Sequence, residues 1–474
     1  MRIVTNPRMR LWFWAGAALL AGLLLRLWFI AHYSKIAGDS LVYGDIAKNL
    51  ALHHTYGLTE DGPLPRPTLI RVPGYPIFLA ACFLLFGLKN YAAVLHIQTA
   101  ADLLGCCLVS ATAARLFGRR AALPVLWIAA LCPFTANYAA VVLTETLVLF
   151  SIALTFYSLV RWKQAGLGFN RWLWLVAAAL SCGILLRPEQ GLLAAAVVPA
   201  MLWMAFKERT PVASSSPVLV AALCVLLPLL PWTIRNWRVF HVVQPLAPAA
   251  ANDPGEGVGF GFNHWYRSWA IEFASTAEVA WPYDDRPIDV TTIPPRAYFL
   301  GCSLRPRAGP GELRDRTVAV FNEYNDASSA SPALDARFAE LANQRIKAAP
   351  ICYYVLLPIA RVLNMALRPR TEMMLPVPLE WWQWGRHRAQ TAFAAAYAAL
   401  NLAYFAVAGA GILAWRRRGW LGAREIAWAM AASILLRCAA LLSLDISEPR
   451  FTLEFFPVLF IWTGALFAPA EPGP

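Results

Sequence analysis

The sequence predicts an all-α polytopic membrane protein, and three observations predict it. Of its 474 residues 59% are hydrophobic and only 15% are charged, against about 25% charged in ordinary soluble chains. Apolar runs long enough to cross about 30 Å of hydrocarbon recur along it. The basic residues behind its formal charge of +13 fall mostly in short loops between those runs, where the positive-inside rule places them. The bilayer is therefore the expected partner, and nucleic acid is not.

A basic arm (Arg2, Arg8, Arg10) precedes a first run, Leu11 to Ala31, which has no small-residue cleavage site and reads as a retained span. Further spans are predicted near 91–115, 121–138, 143–161, 171–186, 190–206 and 217–234, then near 391–415, 425–444 and 451–468. That makes about ten, within a range of about nine to twelve. Ten spans leave four basic clusters cytoplasmic: Arg115, Arg119 and Arg120; Arg161, Lys163 and Arg171; Lys207 and Arg209; and Arg416, Arg417, Arg418 and Arg424. Counting the apolar run Pro73 to Leu88 as a span would put three of them outside. It is therefore predicted to be a re-entrant or interfacial helix.

Three regions follow: 1–234, a transmembrane module with a first outer loop at 32–90; 235–390, an extracytoplasmic domain with mixed and irregular structure; and 391–474, the last membrane helices. The long outer region should fold, because structureless loops of that size are uncommon in compact chains. Asn252 to Pro310 is rich in Gly, Pro and aromatics and reads as irregular. Helical spacing of Leu313, Thr317, Val320, Phe321 and Tyr324, and of Leu334, Phe338, Leu341 and Ile346, predicts two helices. Pro350 breaks the second, and Ile351 to Leu367 suits a helix lying at the interface. Trp381, Trp382 and Trp384 anchor the return to the membrane.

Seven of the nine cysteines lie in or beside apolar runs without C-x-x-C spacing and read as packing residues. Cys302 and Cys352 fall in the polar region, where a disulfide is open if that region meets an oxidising compartment. His53 and His54 lack a third ligand at useful spacing, and Asp284, Asp285 and Asp289 read as a solvated loop, so no metal is predicted, although a divalent ion is allowed. The run Gly255 to Gly261 resembles a phosphate loop only in its glycines.

The charges that remain gather at one face. Asp39, Asp45, Glu60, Asp61 and Arg71 lie in the first outer loop. Asp39 is either a site carboxylate or a helix N-cap, and Asp45, six residues on, points about 120° away on a helix. Glu145 opens a span at its outer end, where the helix dipole favours a carboxylate. Arg187 and Glu189 read either as a pair joining neighbouring spans or as site residues. Arg235 and Arg238 emerge on the side disfavoured for cations and so need an anion, either a phosphate or a first-loop carboxylate. Arg26, Asp102 and Arg437 lie inside spans, at about 2.5 to 3.5 kcal/mol each if unpaired. Pairing of Asp102 with one arginine is expected.

Several segments resemble, in order, those of the lipid-linked-sugar glycosyltransferases of the GT-C superfamily, especially the protein O-mannosyltransferase and lipid A aminoarabinose transferase branch. They are G-D-S-L-V-Y-G-D-I-A, R-V-P-G-Y-P-I-F-L-A, R-L-F-G-R-R, L-T-E-T-L, L-L-R-P, P-W-T-I-R-N-W-R-V-F and E-P-R-F-T-L-E-F-F-P. The resemblance implies a GT-C bundle, Asp39 as catalytic base, Glu145 as a second acidic residue, and Arg71, Arg187 and Arg235 on the donor phosphate; Arg238, which needs an anion by its position, joins them as a phosphate-binding candidate. Tyr43, Asp45, His54 and Asn236 complete it as substrate-binding candidates. Ser40 stands where the family often has another acidic residue. The activity so implied is inverting transfer of a sugar from a polyprenyl-phosphate donor to an acceptor hydroxyl or phosphate at the extracytoplasmic face. Without a recognisable retention signal, a bacterial or archaeal plasma membrane is expected, with a eukaryotic endoplasmic reticulum as the alternative. The acceptor is a protein, lipid or glycan. The rival readings are a transporter or lipid flippase using Arg26, Asp102 and Arg437, and a non-catalytic scaffold of the same fold.

Overall fold

The computed structural model describes residues 7–60, 62, 64–208, 211–248, 250–256, 259–283, 286–298, 311–327, 331–374 and 377–469. Arg2, Asp61, Arg209, Asp284, Asp285 and Cys302 lie outside the described residues. Among those described, eight helices are long and apolar enough to cross a membrane, and ten if two bent pairs each count as one span. The all-α polytopic expectation holds. The one described sheet is a two-stranded antiparallel pair, Gly57–Leu58 with Arg66–Pro67.

The long helices include Met9–Tyr33, Tyr91–Phe117, Glu145–Gln164, Pro188–Lys207 and Ser215–Phe240. The run at 121–138 is instead bent by 57° between Arg119–Ala130 and Pro133–Ala139, because Pro133 cannot continue the preceding hydrogen-bond ladder. Gly74–Phe86, the run demoted on charge grounds, is 13 residues long. At about 1.5 Å per residue it is too short to span. Arg171–Leu186 is a shorter apolar helix as well.

The chain divides into two compact units: Met1–Glu256 with Ala403–Leu436 and Leu453–Pro474, and Gly257–Leu402 with Arg437–Thr452. In the first, Glu145–Gln164 packs between Tyr91–Phe117 and Arg171–Leu186 and is its most buried long helix along with Pro449–Phe467. Its C-terminal end collects cations. Lys163 and Lys207 both lie 2.9 Å from the buried Glu425 carboxylate, and Arg115 donates to Gln164. Three of the basic clusters thus share one end of this unit. Glu145 lies at the other end of the same helix, about 27 Å away at 1.5 Å per residue.

Within this bundle the Arg26 guanidinium is wholly buried. It donates to Asp102 (Nε to Oδ2, 2.6 Å) and to the carbonyls of Gly22 (2.8 Å) and Ala130 (2.7 Å). Asp102 thus has its expected arginine.

The second unit is built on aromatics. Phe262, Trp265 and Tyr266, from the helix Phe260–Arg267, pack with Val320, Phe321, Tyr324, Leu334, Phe338 and Leu341, the residues whose spacing predicted helices that run from Gly311 to Ala327 and Pro332 to Ala348. The helix Phe260–Arg267 corrects the irregular reading of that stretch. Its Gly261 lies so close to the Asp335 carbonyl that no Cβ would fit, and the Asp335 carboxylate accepts the amides of Gly261 and Phe262, each at 2.9 Å. The glycine serves close packing there. The helices Pro332–Ala348 and Cys352–Leu367 meet at 101°, the break set by Pro350. Cys352 is disulfide-bonded.

Candidate active site

Every residue of the site described here belongs to the first unit. On leaving the first span, Lys35 bridges to Val141, which pins the start of the first loop beside the turn that precedes Glu145. Gly38 then takes a positive φ of 54°, a conformation cheap only for glycine, and the helix Asp39–His53 begins. Gly38 occupies the N-cap position and has no side chain to bond the helix. Asp39 is therefore the first helical residue, not the cap. Its carboxylate takes a hydrogen bond from Arg71 Nη2 at 2.8 Å, and both side chains stay partly exposed, at 28% and 21%.

A second charged group is buried. Pro188 pushes the preceding residue toward extended backbone, and Arg187 (φ −150°, ψ 123°) duly ends the helix Arg171–Leu186. Its guanidinium meets Glu145 at 2.9 Å and Glu454 at 3.4 Å, and Gln190 donates to Glu454 at 2.6 Å. A guanidinium shared by two carboxylates is a compact way to keep three charges inside an apolar bundle, because each carboxylate gains a charge-assisted bond that offsets part of its lost hydration.

Tyr43 joins the two groups. Its ring lies under the Arg71 guanidinium (5.7 Å) and edge-on to Tyr75 (5.0 Å). It interacts electrostatically with Asp39, Arg71, Glu145 and Arg187 alike. Burial pushes the Tyr43 phenol up, with the Arg71 charge only partly opposing it, so Tyr43 stays a neutral hydroxyl at physiological pH. Tyr75 continues the chain, donating to Gln98 (2.6 Å), which donates in turn to the Val141 carbonyl (2.8 Å). Gly74 makes this possible, since a Cβ there would come within 2.6 Å of the Leu185 carbonyl oxygen. The helix that opens with P-G-Y-P can therefore pack closely against Leu185, at the end of Arg171–Leu186.

The structure thus brings together Asp39, Tyr43, Arg71, Glu145 and Arg187 from the sequence-derived set, and adds Glu454, Gln190, Tyr75 and Gln98. Glu454 had a signal that was not used: it is a carboxylate in the apolar run E-F-F-P-V-L-F and so needs a partner. Gln190, Tyr75 and Gln98 carried none.

The other candidates have other contacts. Arg235 donates to the carbonyls of Tyr56 (Nη2, 2.7 Å) and Thr68 (Nη1, 2.7 Å) and lies over the rings of Tyr56, Trp232 and Phe240. It clamps the short sheet, and Tyr56 in turn donates to the Arg71 carbonyl at 3.0 Å. The anion expected for Arg235 is replaced by backbone carbonyl oxygens. Arg235→Met should lower the melting temperature of the purified protein, because the buried Thr68 carbonyl loses its donor, at about 1–3 kcal/mol, while the Tyr56 carbonyl keeps the Thr68 amide at 3.1 Å; an unchanged melting curve would contradict the clamp. Asn236 is buried and donates to the Gln244 carbonyl at 2.8 Å. Arg238 and His54 are exposed, His54 at the left-handed end of its helix.

Asp45 latches the loop. It accepts the Thr59 amide (2.6 Å) and hydroxyl (2.8 Å) and the Lys48 ammonium (2.7 Å). Burial pushes its carboxyl up, but the bonds from Lys48 and Thr59 outweigh burial and hold it below the ordinary value. A carboxyl lowered on folding stabilises the fold above its unfolded pKa of about 3.9, and the contribution is lost as pH falls through the folded value. Comparing melting temperatures of wild type and Asp45→Asn should give a difference that is constant above about pH 4 and shrinks in more acid solution. A difference that grows in acid would contradict this assignment.

Among the described residues no group of three or more His, Cys, Asp or Glu could hold a metal ion.

Residues 66–234 match the dolichyl-phosphate-mannose-protein mannosyltransferase family. The resemblance drawn from the sequence segments holds over that stretch, which includes Arg71, Glu145 and Arg187 but begins after Asp39. No curated protein sequence matches the chain. Among solved structures, it is similar to the oligosaccharyltransferase of Archaeoglobus fulgidus tethered with an acceptor peptide (13% identity, 96% of this chain and 49% of that one, TM-score 0.46). It is also similar to the same organism's oligosaccharyltransferase AglB in complex with an inhibitory peptide and a dolichol-phosphate (11% identity, 96% and 50%, TM-score 0.47). A third is ArnT from Cupriavidus metallidurans bound to undecaprenyl phosphate (14% identity, 97% and 78%, TM-score 0.37). The chain spans about half the length of the oligosaccharyltransferases it matches.

Proposed function

We propose that this chain is an inverting glycosyltransferase that moves a sugar from a polyprenyl-phosphate donor to an acceptor hydroxyl or phosphate at the outer face of the membrane. The observation that carries this reading is the water-accessible Asp39–Arg71 pair, joined through Tyr43 to the buried Glu145–Arg187–Glu454 group. Charge supports the outer face: Lys163 and Lys207 gather at one end of this bundle, the end that the positive-inside rule assigns to the cytoplasm, and Glu145 begins its helix at the opposite end.

The outer face has no nucleotide-sugar pool, so the donor arrives on a membrane lipid. The matched family's own name, which specifies dolichyl-phosphate-mannose, supports a lipid phosphate. A phosphate is already a good leaving group, so the reaction needs one base and a means of holding the departing anion. Asp39 is the base: it takes the proton from the acceptor hydroxyl as that oxygen attacks the anomeric carbon. Arg71 and Arg187 turn from their carboxylate partners toward the phosphate oxygens, and their hold strengthens as charge moves onto the leaving group. Tyr43, neutral and lying between the two groups, donates a hydrogen bond to the donor without adding charge.

A single displacement inverts the anomeric centre. Transfer of labelled sugar from a polyprenyl-phosphate donor of known configuration, with the product's anomeric coupling read by NMR, is the test. An inverted product supports the mechanism; a retained configuration rules out the single displacement.

A further inference from the structure

The second unit carries a cluster of cations that the reading above does not use. Arg361, on the helix Leu357–Leu367, has no exposed surface. Its Nη1 donates to the carbonyls of Arg267 (2.8 Å) and Ala270 (3.2 Å). Its Nε and Nη2 are buried without a hydrogen-bond partner among the described residues, and so is Arg267 Nε. Arg267 ends the helix Phe260–Arg267, lies over the Tyr353 ring at 5.7 Å, and meets Asp445 only at 3.4 Å. His264, three residues earlier on that helix, is exposed and interacts with Asp445.

Two guanidiniums that repel each other therefore share one carboxylate, itself 38% exposed. A buried guanidinium with two unsatisfied donors loses its hydration uncompensated unless an anion meets it. Asp445 is a poor compensator: burial pushes its carboxyl up despite Arg267, Arg361 and His264. The same segment gives the location. Ile359 and Leu363, two residues either side of Arg361 and so on the opposite face of its helix, are 45% and 52% exposed, and Ile351 and Tyr354 just before it are 70% and 67% exposed, as in a segment lying in the membrane interface. Planar guanidiniums in pairs suit a phosphate, whose oxygens accept two donors at once.

We propose that Arg361, Arg267 and His264 form an anion-binding site, separate from the Asp39 group, which takes a phosphate carried on a lipid headgroup or on a water-soluble molecule at the membrane surface. Asp445 is the competitor that holds the site when it is empty of ligand.

The test uses the full-length chain in detergent. Thermal stabilisation is titrated with inorganic phosphate and, in parallel, with short-chain phosphatidic acid, each against a chloride control of equal ionic strength. Wild type should be stabilised. Arg267→Gln, on the accessible side, should weaken the apparent affinity by about tenfold or more. Asp445→Asn, which removes the competitor, should tighten it; a purely structural Arg–Asp pair would instead lose stability with no gain in phosphate affinity. Stabilisation by both probes identifies a bare phosphate group as sufficient, and by phosphatidic acid alone identifies a lipid headgroup. The proposal is overturned if neither probe stabilises wild type, or if Arg267→Gln and Asp445→Asn leave the affinity unchanged. It is overturned too if the effect persists in Arg267→Gln and vanishes in Arg71→Gln, which would locate binding at the Asp39 group.

Discussion

Asp39→Asn is expected to lower sugar transfer by about 10²- to 10⁴-fold, the usual worth of a positioned general base, while the protein still elutes as a monodisperse species. The substitution keeps the size of the side chain and its place in the first helical turn but removes the proton acceptor. Fold and function separate cleanly at this position for two reasons. Asp39 is not the helix cap, since Gly38 holds that place. Its bond to Arg71 is also partly exposed, and such pairs contribute little to stability. The measurement is transfer of labelled sugar from membrane-extracted polyprenyl-phosphate donors by wild type and variant. Equal transfer by both would remove Asp39 from the chemistry. Transfer lost together with monodispersity would make it a folding residue instead.

The largest expected effect on stability lies at Arg26. Removing it alone leaves the Asp102 carboxylate, 5% exposed, without its cation inside the bundle, and breaking such a buried pair costs about 3–5 kcal/mol. Arg26→Met should therefore lower the melting temperature sharply. The double replacement Arg26→Met with Asp102→Leu should recover most of the loss, because an apolar pair of similar volume has no charge to bury. The double variant also separates the functional readings. A flippase or transporter that moves charge past this pair would stop working, whereas a glycosyltransferase with its site at Asp39 would keep transferring sugar. The bonds Arg26 already makes to Asp102 and to the carbonyls of Gly22 and Ala130 favour the second outcome, since they are those of a satisfied structural pair. A double variant as unstable as Arg26→Met alone would refute this account.

The sequence by itself determined the membrane character of the chain, the approximate bounds of its apolar helices and the gathering of basic clusters at one end of the first unit, because hydrophobic run length and the placement of Lys and Arg are local quantities. Pro73–Leu88 illustrates the reach of that logic: charge parity alone removed it from the spans, and the helix Gly74–Phe86 is indeed too short to cross. The periodicity of Leu334, Phe338 and Leu341 likewise anticipated which face of the helix Pro332–Ala348 is buried.

What only the tertiary structure decided was which charges meet. Arg187 and Arg235 look alike in sequence, each a cation at the end of an apolar helix, yet one is shared by Glu145 and Glu454 and the other is bound to two backbone carbonyls. Partners 42 and 267 residues away leave no local trace, and a carbonyl acceptor leaves none at all, since every residue has one. The helix at Phe260–Arg267 was hidden for the same reason, since it depends on what the segment packs against, whereas the bend at Pro133 had a local signal in the proline itself. Local composition sets where the chain enters and leaves the membrane, and long-range packing sets which of its few charges are brought within reach of one another.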